Sequence, residues 1–428
     1  MKYESRLQFA RSMDREDPLK KLRSQFYIPK IDGKTSIYFT GNSLGLQPKN
    51  VAAFVKEELD DWATLGVEGH VHSRRPWVRY QNFSKKALAK IVGAKPIEVV
   101  AMNQLTVNLH LLLLSFYCPT PQRYKIIAEK GAFSSDQYAF ESQIRFHNLN
   151  PDECLVEVEA RDGESALRTE DIIKTINDHR DNLALVIFGG VQYYTGQLFD
   201  IAAITKAGHD AGAYVGFDLA HAAGNVPLQL HKHGVDFAMW CSYKYLNSGP
   251  GGIAGAFVHE RYALDQTMPR LAGWWGHNEK ERFLMLKGFK PMPGVDGWQL
   301  SNHPVISSAV HLGALSLFEE AGMKNLRAKS IALTGYLQFL LNEIDPNEKY
   351  FQVLTPRNPK WRGCQLSLFM KDHGMKVFKG LGEAGVIADW REPAVIRVAP
   401  VPLYNTFEEV YRFSTIFKKL ILQFNAVK

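Results

Sequence analysis

A chain of 428 residues, 46% hydrophobic and 22% charged, has the make-up of a globular enzyme and is long enough to predict two domains. Its net charge of +7 lies in scattered basic pairs such as Arg74-Arg75 and Lys85-Lys86, so no dense tract points to nucleic acid. The greasiest run, Leu109 to Cys118, is far too short to span a membrane, and the charged start MKYESRLQFARSMDREDP lacks the apolar core of a signal peptide.

The four cysteines (Cys118, Cys154, Cys241 and Cys364) lie far apart with no metal-type spacing, as expected of reduced thiols in a cytoplasmic protein. Residues 3–27 read as helical. Ile37-Tyr38-Phe39 then enters the turn Gly41-Asn42-Ser43-Leu44-Gly45, whose glycines fit either a plain hairpin or a close backbone approach to a ligand. Residues 49–65 predict an amphipathic helix, followed by a polar, aromatic loop from Gly66 to Trp77 that holds His70, His72, Arg74 and Arg75. No third ligand accompanies the two histidines, so no metal site is expected.

In AMNQLTVNLHLLLLSFYCP, Asn103 or Thr106 can cap a helix that stops before Pro119. Such a helix start is either a phosphate site or an ordinary capped core helix. Lys125 to Glu129 predicts a strand leading into Gly131-Ala132-Phe133-Ser134-Ser135-Asp136, where Phe133 can stack on a ligand ring or belong to the core. Leu183 to Phe188 predicts another buried strand. The β-α-β-α order that follows implies a mostly parallel sheet with right-handed crossovers.

Two apolar runs then carry the chemistry. Ala213 to Phe217 ends in the acid Asp218, and Val235 to Trp240 leads into Ser242-Tyr243-Lys244. Ligands of parallel sheets gather at the carboxyl ends of the strands, so an acid and an amine are expected to converge there. That pairing suits pyridoxal phosphate, with the lysine as Schiff-base partner and the acid on the pyridine nitrogen. A carboxylate about 4 Å from a pyridinium contributes roughly 4 kcal/mol at an effective dielectric near 20, enough to keep the ring protonated. Read alone, Lys244 could equally be a surface lysine and Asp218 a helix cap.

Residues 282–304 turn loop-like, which places the domain boundary there: a large domain over 46–300, and a small α+β domain built from 1–45 and 301–428. Helices near 305–322 and 325–344, a strand over Gln365 to Met370, a helix near 375–384 and a strand over Val395 to Val398 complete the chain. Arg397, inside that last apolar strand, is expensive to bury without an anion: it meets a ligand carboxylate, or it makes a structural salt bridge or faces solvent at a sheet edge.

Together these pieces resemble the kynureninase family, of fold type I pyridoxal-phosphate enzymes. The segments that carry the resemblance are Gly41-Asn42-Ser43-Leu44-Gly45-Leu46, Gly69-His70, Arg75-Pro76-Trp77, Asn103-Gln104-Leu105-Thr106 and Phe133-Ser134-Ser135-Asp136. They continue with Tyr193-Tyr194-Thr195-Gly196, Asp218-Leu219-Ala220-His221, Ser242-Tyr243-Lys244-Tyr245-Leu246-Asn247, Gly273-Trp274, Ser301-Asn302 and Arg397-Val398-Ala399-Pro400.

The resemblance implies a fold type I architecture and pyridoxal 5'-phosphate as cofactor. It implies cleavage of kynurenine or 3-hydroxykynurenine, in tryptophan catabolism and NAD biosynthesis. Lys244 would form the Schiff base and move protons, with Tyr243 a second catalytic group. Asp218 would hold the pyridinium and His221 lie by the ring hydroxyl. Phe133, Ser134, Ser135 and Asp136 would contact the cofactor, and Leu105, Thr106 and Tyr243 its phosphate. Trp274 and Asn302 would come from the partner subunit of a homodimer. Arg397 would clamp the substrate carboxylate, with Ser43, His70 and Asn302 near the aryl end; His70 with Asn302 points to the 3-hydroxy substrate. Gly189 departs from relatives that carry a hydroxyl there, so one cofactor contact is expected to be missing. A desulfurase-like or transaminase activity on the same core, or a non-catalytic scaffold, stays open at this level.

Overall fold

The structure, a computed structural model, describes residues 2–425. Its large sheet has seven strands: β1 (Val99–Ala101), β2 (Lys125–Glu129), β3 (Leu155–Val158), β4 (Leu183–Gly189), β5 (Tyr214–Asp218), β6 (Phe237–Trp240) and β7 (Gly255–Val258). They lie in the order β1-β7-β6-β5-β4-β2-β3, and only β7 runs antiparallel to its neighbours. The mostly parallel sheet expected from the β-α alternation is therefore present.

The strands read as unbroken apolar runs because both faces are covered. Val186, Phe188, Val215, Phe217, Ala238 and Trp240 pack into a core on one face. Their alternates Leu185, Ile187, Phe237 and Met239 pack into a second core on the other. Register pairs Gly189 with Asp218, and Asp218 with Met239, so the carboxyl ends of β4, β5 and β6 finish level.

A smaller four-stranded antiparallel sheet comprises β8 (Phe351–Val353), β9 (Leu366–Met370), β10 (Asp389–Arg391) and β11 (Val395–Val398), in the order β8-β9-β11-β10. One face, with Leu366, Leu368, Ile396 and Val398, packs on the helices Met323–Ile344 and Phe407–Asn425. The other face turns Ser367 and Arg397, paired in register, toward the Tyr193-Tyr194 segment of the large sheet. The amino-terminal strand Ile37–Tyr38 joins this part of the molecule by pairing parallel to Val386–Ile387. Helix Val305–Ala321 packs on the large-sheet side, with Leu315, Leu317 and Phe318 in that core.

Two local expectations are corrected. The helix expected over 3–27 is cut to Leu7–Glu16, with a separate single turn at Leu22–Gln25. Pro18 is the cause: it lacks an N–H and forces Asp17 into an extended conformation. The segment expected as a loop after Gly66 instead winds into two short helical turns, Gly66–Glu68 and Gly69–His72.

Candidate active site

The carboxyl edge of the large sheet opens into a cleft of about 560 Å³, mouth included, within the size range of small-molecule sites. Its lining includes Leu105, Thr106, Glu129, Phe133, Ser135, Asp136, Gly189, Tyr193, Asp218, His221, Cys241, Tyr243 and Lys244. Asp218 and Lys244 thus meet in one crevice. Each comes from the end of a neighbouring strand, as the sequence predicts.

Lys244 sits on the turn that follows β6. Its Nζ lies 3.1 Å from His221 Nε2, and 5.8 and 5.9 Å from the centres of the Phe133 and Tyr243 rings. The Gly41–Gly45 turn holds this segment from behind, where the Gly45 N–H donates to the Tyr243 carbonyl at 2.8 Å. A side chain at 45 would collide with the Lys244 carbonyl, its Cβ falling 2.3 Å from that oxygen. The glycine spacing therefore serves a close backbone approach, to the lysine turn rather than to a ligand.

Three carboxyls crowd the floor. Asp218 accepts the Ala220 N–H at 2.6 Å and a hydrogen bond from Asp136, and Glu129 accepts the Gly189 N–H at 3.3 Å. Burial pushes Asp218 up; the Asp136 hydrogen bond, the Ala220 N–H and Lys244 oppose that push. Asp136 is raised well above the ordinary carboxyl range, by burial and then by Asp218. Burial, with Asp218 adding, raises Glu129 to about 8. Carboxyls this close cannot all ionise, so the cluster retains protons at neutral pH. Burial and then Lys244 hold His221 well below its usual value, so its imidazole is neutral.

Neither Asn103 nor Thr106 caps the helix Leu105–Phe116, a further correction. The N-cap is Gln104, which makes no side-chain cap. Asn103 takes a positive φ of 50° and donates to Asn108 instead. The freed Thr106 hydroxyl lies 2.8 Å from Ser135 Oγ, bringing the amino termini of Leu105–Phe116 and Ser134–Phe146 together. Two helix starts and two hydroxyls make a ready anion cradle.

Pyridoxal phosphate fits these donors. The cleft is lined by buried polar atoms without protein partners, Glu129 Oε2, Asp136 Oδ1 and His221 Nδ1, which leaves hydrogen-bonding capacity for a polar ring. The anion cradle, the amine and the acid surround the same space.

The remaining sequence-predicted residues lie outside the cleft lining. Ser134 starts its helix exposed, and Ser43 and Asn302 are exposed. His70 packs edge-on against Trp77, and Trp274 is 42% exposed with its indole on the Arg282 carbonyl. Arg397 is buried behind Tyr193, whose carbonyl it reaches at 2.6 Å, and it pairs with Asp389.

Over 99% of its length the chain is 54% identical to the kynureninase of Flavobacterium psychrophilum, all of whose sequence is covered. It is 54% identical to that of Myxococcus xanthus over 96% of each chain, and 49% identical to that of Nematostella vectensis over 95% of this chain and 92% of the relative. The chain belongs to the kynureninase family. The family's C-terminal domain profile matches residues 326–417. Among solved structures, the apo cysteine desulfurase of Thermococcus onnurineus superposes with a TM-score of 0.75 at 20% identity, over 96% of this chain and 98% of that one. The desulfurase CsdA of Escherichia coli gives 0.74 at 16% identity, over 95% and 98%. Both likenesses speak to fold, and they match the fold type I expectation.

Sequence reading missed Glu129 as a site residue of this kynureninase-family chain. The available signal was the one that exposed Asp218, an acid closing an apolar strand (KIIAE). It also gave no sign of Asp389, the partner of Arg397, which lies on a three-residue strand with no such signature.

Proposed function

We propose that this chain hydrolyses the Cβ–Cγ bond of L-kynurenine and 3-hydroxy-L-kynurenine, releasing anthranilate or 3-hydroxyanthranilate with L-alanine. The convergence of Lys244 and Asp218 in one cleft, on a chain 54% identical to a kynureninase over nearly its whole length, carries the reading.

Pyridoxal phosphate, when bound, supplies an electron sink for the charge that develops on the substrate carbons. Leu105, Thr106, Ser134, Ser135 and Tyr243 would hold its phosphate end, and Phe133 would cover its ring. Asp218, hydrogen-bonded by Asp136, would sit on the pyridine nitrogen, and His221 near the ring hydroxyl. Lys244 would take the proton from the substrate α-carbon, acting as general base within reach of neutral His221. Arg397 would clamp the α-carboxylate with its planar fork. Water then adds to the γ-carbonyl. Tyr243 is the donor to the oxygen that gains charge, because burial and then Cys241 raise its phenol and keep it protonated. The Cβ–Cγ electron pair stays on Cβ, where a proton completes L-alanine, and the aryl carbonyl leaves as the carboxylate.

The desulfurase alternative needs a mobile nucleophilic cysteine. Cys364 is fully buried and pushed up to about 12 by that burial, which favours the hydrolase reading. Fluorescence of the anthranilate products, with Lys244→Ala as blank, tests it; sulfide from cysteine without anthranilate would defeat it.

The same reading includes a cytoplasmic homodimer and the two-domain division at residue 300. Among the described residues no helix is long and apolar enough to cross a membrane. The exposed Trp274 stands beside an apolar run of Phe283, Leu284, Met285 and Leu286, each at least 57% exposed, the kind of patch that marks an interface. The partner subunit's Trp274 and Asn302 would then complete each cleft. Mixing Lys244→Ala with Asn302→Ala subunits should restore part of the activity that each lacks alone. Ser43 and His70 would line the aryl end. Comparable kcat/KM for both substrates in His70→Ala and the parent would remove the preference for the 3-hydroxy compound.

A further inference from the structure

Arg397 is 1% exposed, yet its hydrogen bonding is incomplete. Its Nη1 donates to the Tyr193 carbonyl at 2.6 Å and its Nη2 pairs with Asp389, while its Nε is buried without a partner. Asp389 stands directly across the β10–β11 ladder from Arg397. A second guanidinium reaches the same carboxylate: Arg391 Nη2 lies 3.3 Å from Asp389 Oδ2, and Arg391 Nε is also buried and unpartnered. One carboxylate is thus shared by two arginines. Arg397 is held on the carbonyl of Tyr193, a residue that lines the cleft with His221, which puts the cluster directly behind the cleft wall.

A buried guanidinium needs an anion at all times, and leaving it bare is costly. A ligand carboxylate can offer two oxygens to Nη2 and the free Nε together, a bidentate fit that Asp389 does not make here. Arg391, 37% exposed at its side chain, is placed to keep Asp389 neutralised when it lets go.

We propose that Asp389 is an exchangeable counter-ion for Arg397: it occupies the guanidinium until a substrate carboxylate displaces it onto Arg391. The proposal rests on the reading of Arg397 as the carboxylate clamp and adds a specificity device to it. Ligands without a carboxylate leave the Arg397–Asp389 pair closed, so the site selects amino acids over the corresponding amines. Asp389 is a positioning residue: it sets the availability of Arg397 and takes no part in the bond cleavage.

Competition lowers apparent affinity by the fraction of time Arg397 is open. In the holoenzyme, Asp389→Asn should therefore lower the Kd for the product L-alanine, and the KM for kynurenine, by about five- to tenfold, with kcat little changed. Arg391→Ala should raise KM severalfold in the parent and have no such effect in the Asp389→Asn background. An Asp389→Asn protein with unchanged or weaker L-alanine binding, or an undiminished Arg391→Ala effect in the double variant, would overturn the exchange. The parent protein supplies an independent arm should the variant not fold. A crystal structure with L-alanine bound should show Asp389 on Arg391 alone, and Asp389 still on Arg397 beside the ligand carboxylate would overturn the proposal. Arg397→Lys separates the two layers: an unaltered KM there removes the clamp itself, whatever Asp389 does.

Discussion

The two edges of the large sheet both carry buried acids, and they treat them in opposite ways. At the amino edge, Asp236 precedes β6 and accepts the Val215 N–H and the Tyr262 hydroxyl, each at 2.7 Å, with His209 Nε2 at 2.9 Å. Glu98 precedes β1 there and accepts the Lys95 and Glu260 N–H groups, both at 2.8 Å, with His231 Nδ1 at 2.9 Å. His259 adds a third ligand-type atom near Glu98, but the carboxylate is already occupied by these donors. At the carboxyl edge, Glu129 and Asp136 each keep a buried oxygen with no protein partner. A fully partnered acid bolts strands together; an under-partnered one is held ready for something the chain does not itself contain. Both edges set acids near histidine. Their hydrogen-bond accounting is what separates scaffold from site.

Lys244→Ala should produce the largest separation between the edges. Product formation should fall by about 10⁴-fold or more, measured by anthranilate fluorescence, while the unfolding midpoint stays near the parent's. A loss of less than tenfold would reduce the carboxyl edge to scaffold.

The next largest effect is a pH dependence. Glu129 is raised to about 8 in the folded chain from an ordinary 4.5, so between those values the unfolded chain binds fewer protons than the folded one. Stability contributed by this group is present below about pH 4.5, declines as pH rises, and levels off above about pH 8, a change of order 5 kcal/mol at most. In cofactor-free protein, Glu129→Gln should flatten denaturant-derived stability against pH across that window. A parent profile already flat there would place Glu129 among the bolts.

Asp236→Ala tests the amino edge directly. It strands a buried amide, a hydroxyl and an imidazole, and should cost about 3–5 kcal/mol in urea unfolding. The kcat of the remaining folded protein should stay within about twofold. A kcat loss exceeding the stability loss would mean that the amino edge also serves the chemistry.

Much of this division is written locally. An apolar run ending in Asp218, and another leading to Lys244, place both groups at the carboxyl edge because strand direction is fixed by the β-α alternation. Glu129 carries the same local signature, an acid closing the apolar run KIIAE, and is legible by the same rule. The Arg397–Asp389 pair is different in kind: it depends on the β10–β11 register, and Asp-Trp-Arg has no periodicity from which a strand could be read. Caps misled for a similar reason. Asn103 and Thr106 both have the chemistry of a cap, but their partners, Asn108 and Ser135, are selected by packing. Trp274 and Asn302 drew their expected roles from family resemblance alone, since within one chain neither lines the Lys244 cleft.

The smallest effect concerns Gly189, which lines the cleft at the carboxyl edge without a side chain to offer it. A Cβ built there would lie 3.0 Å from Glu129 Oε1, which already accepts the residue's own N–H. Gly189→Ser therefore requires the Glu129 carboxyl to give by a few tenths of an ångström. That is an inexpensive shift for the end of a side chain whose other oxygen is unpartnered. The new hydroxyl would face the same cleft, and one added hydrogen bond is worth about 0.5–1.5 kcal/mol net. Cofactor dissociation, followed by the loss of its visible absorbance on dilution, should slow by about three- to tenfold. Faster loss in Gly189→Ser would mean that the displaced Glu129 was itself holding the cofactor, and that its free oxygen marks an occupied position at the carboxyl edge.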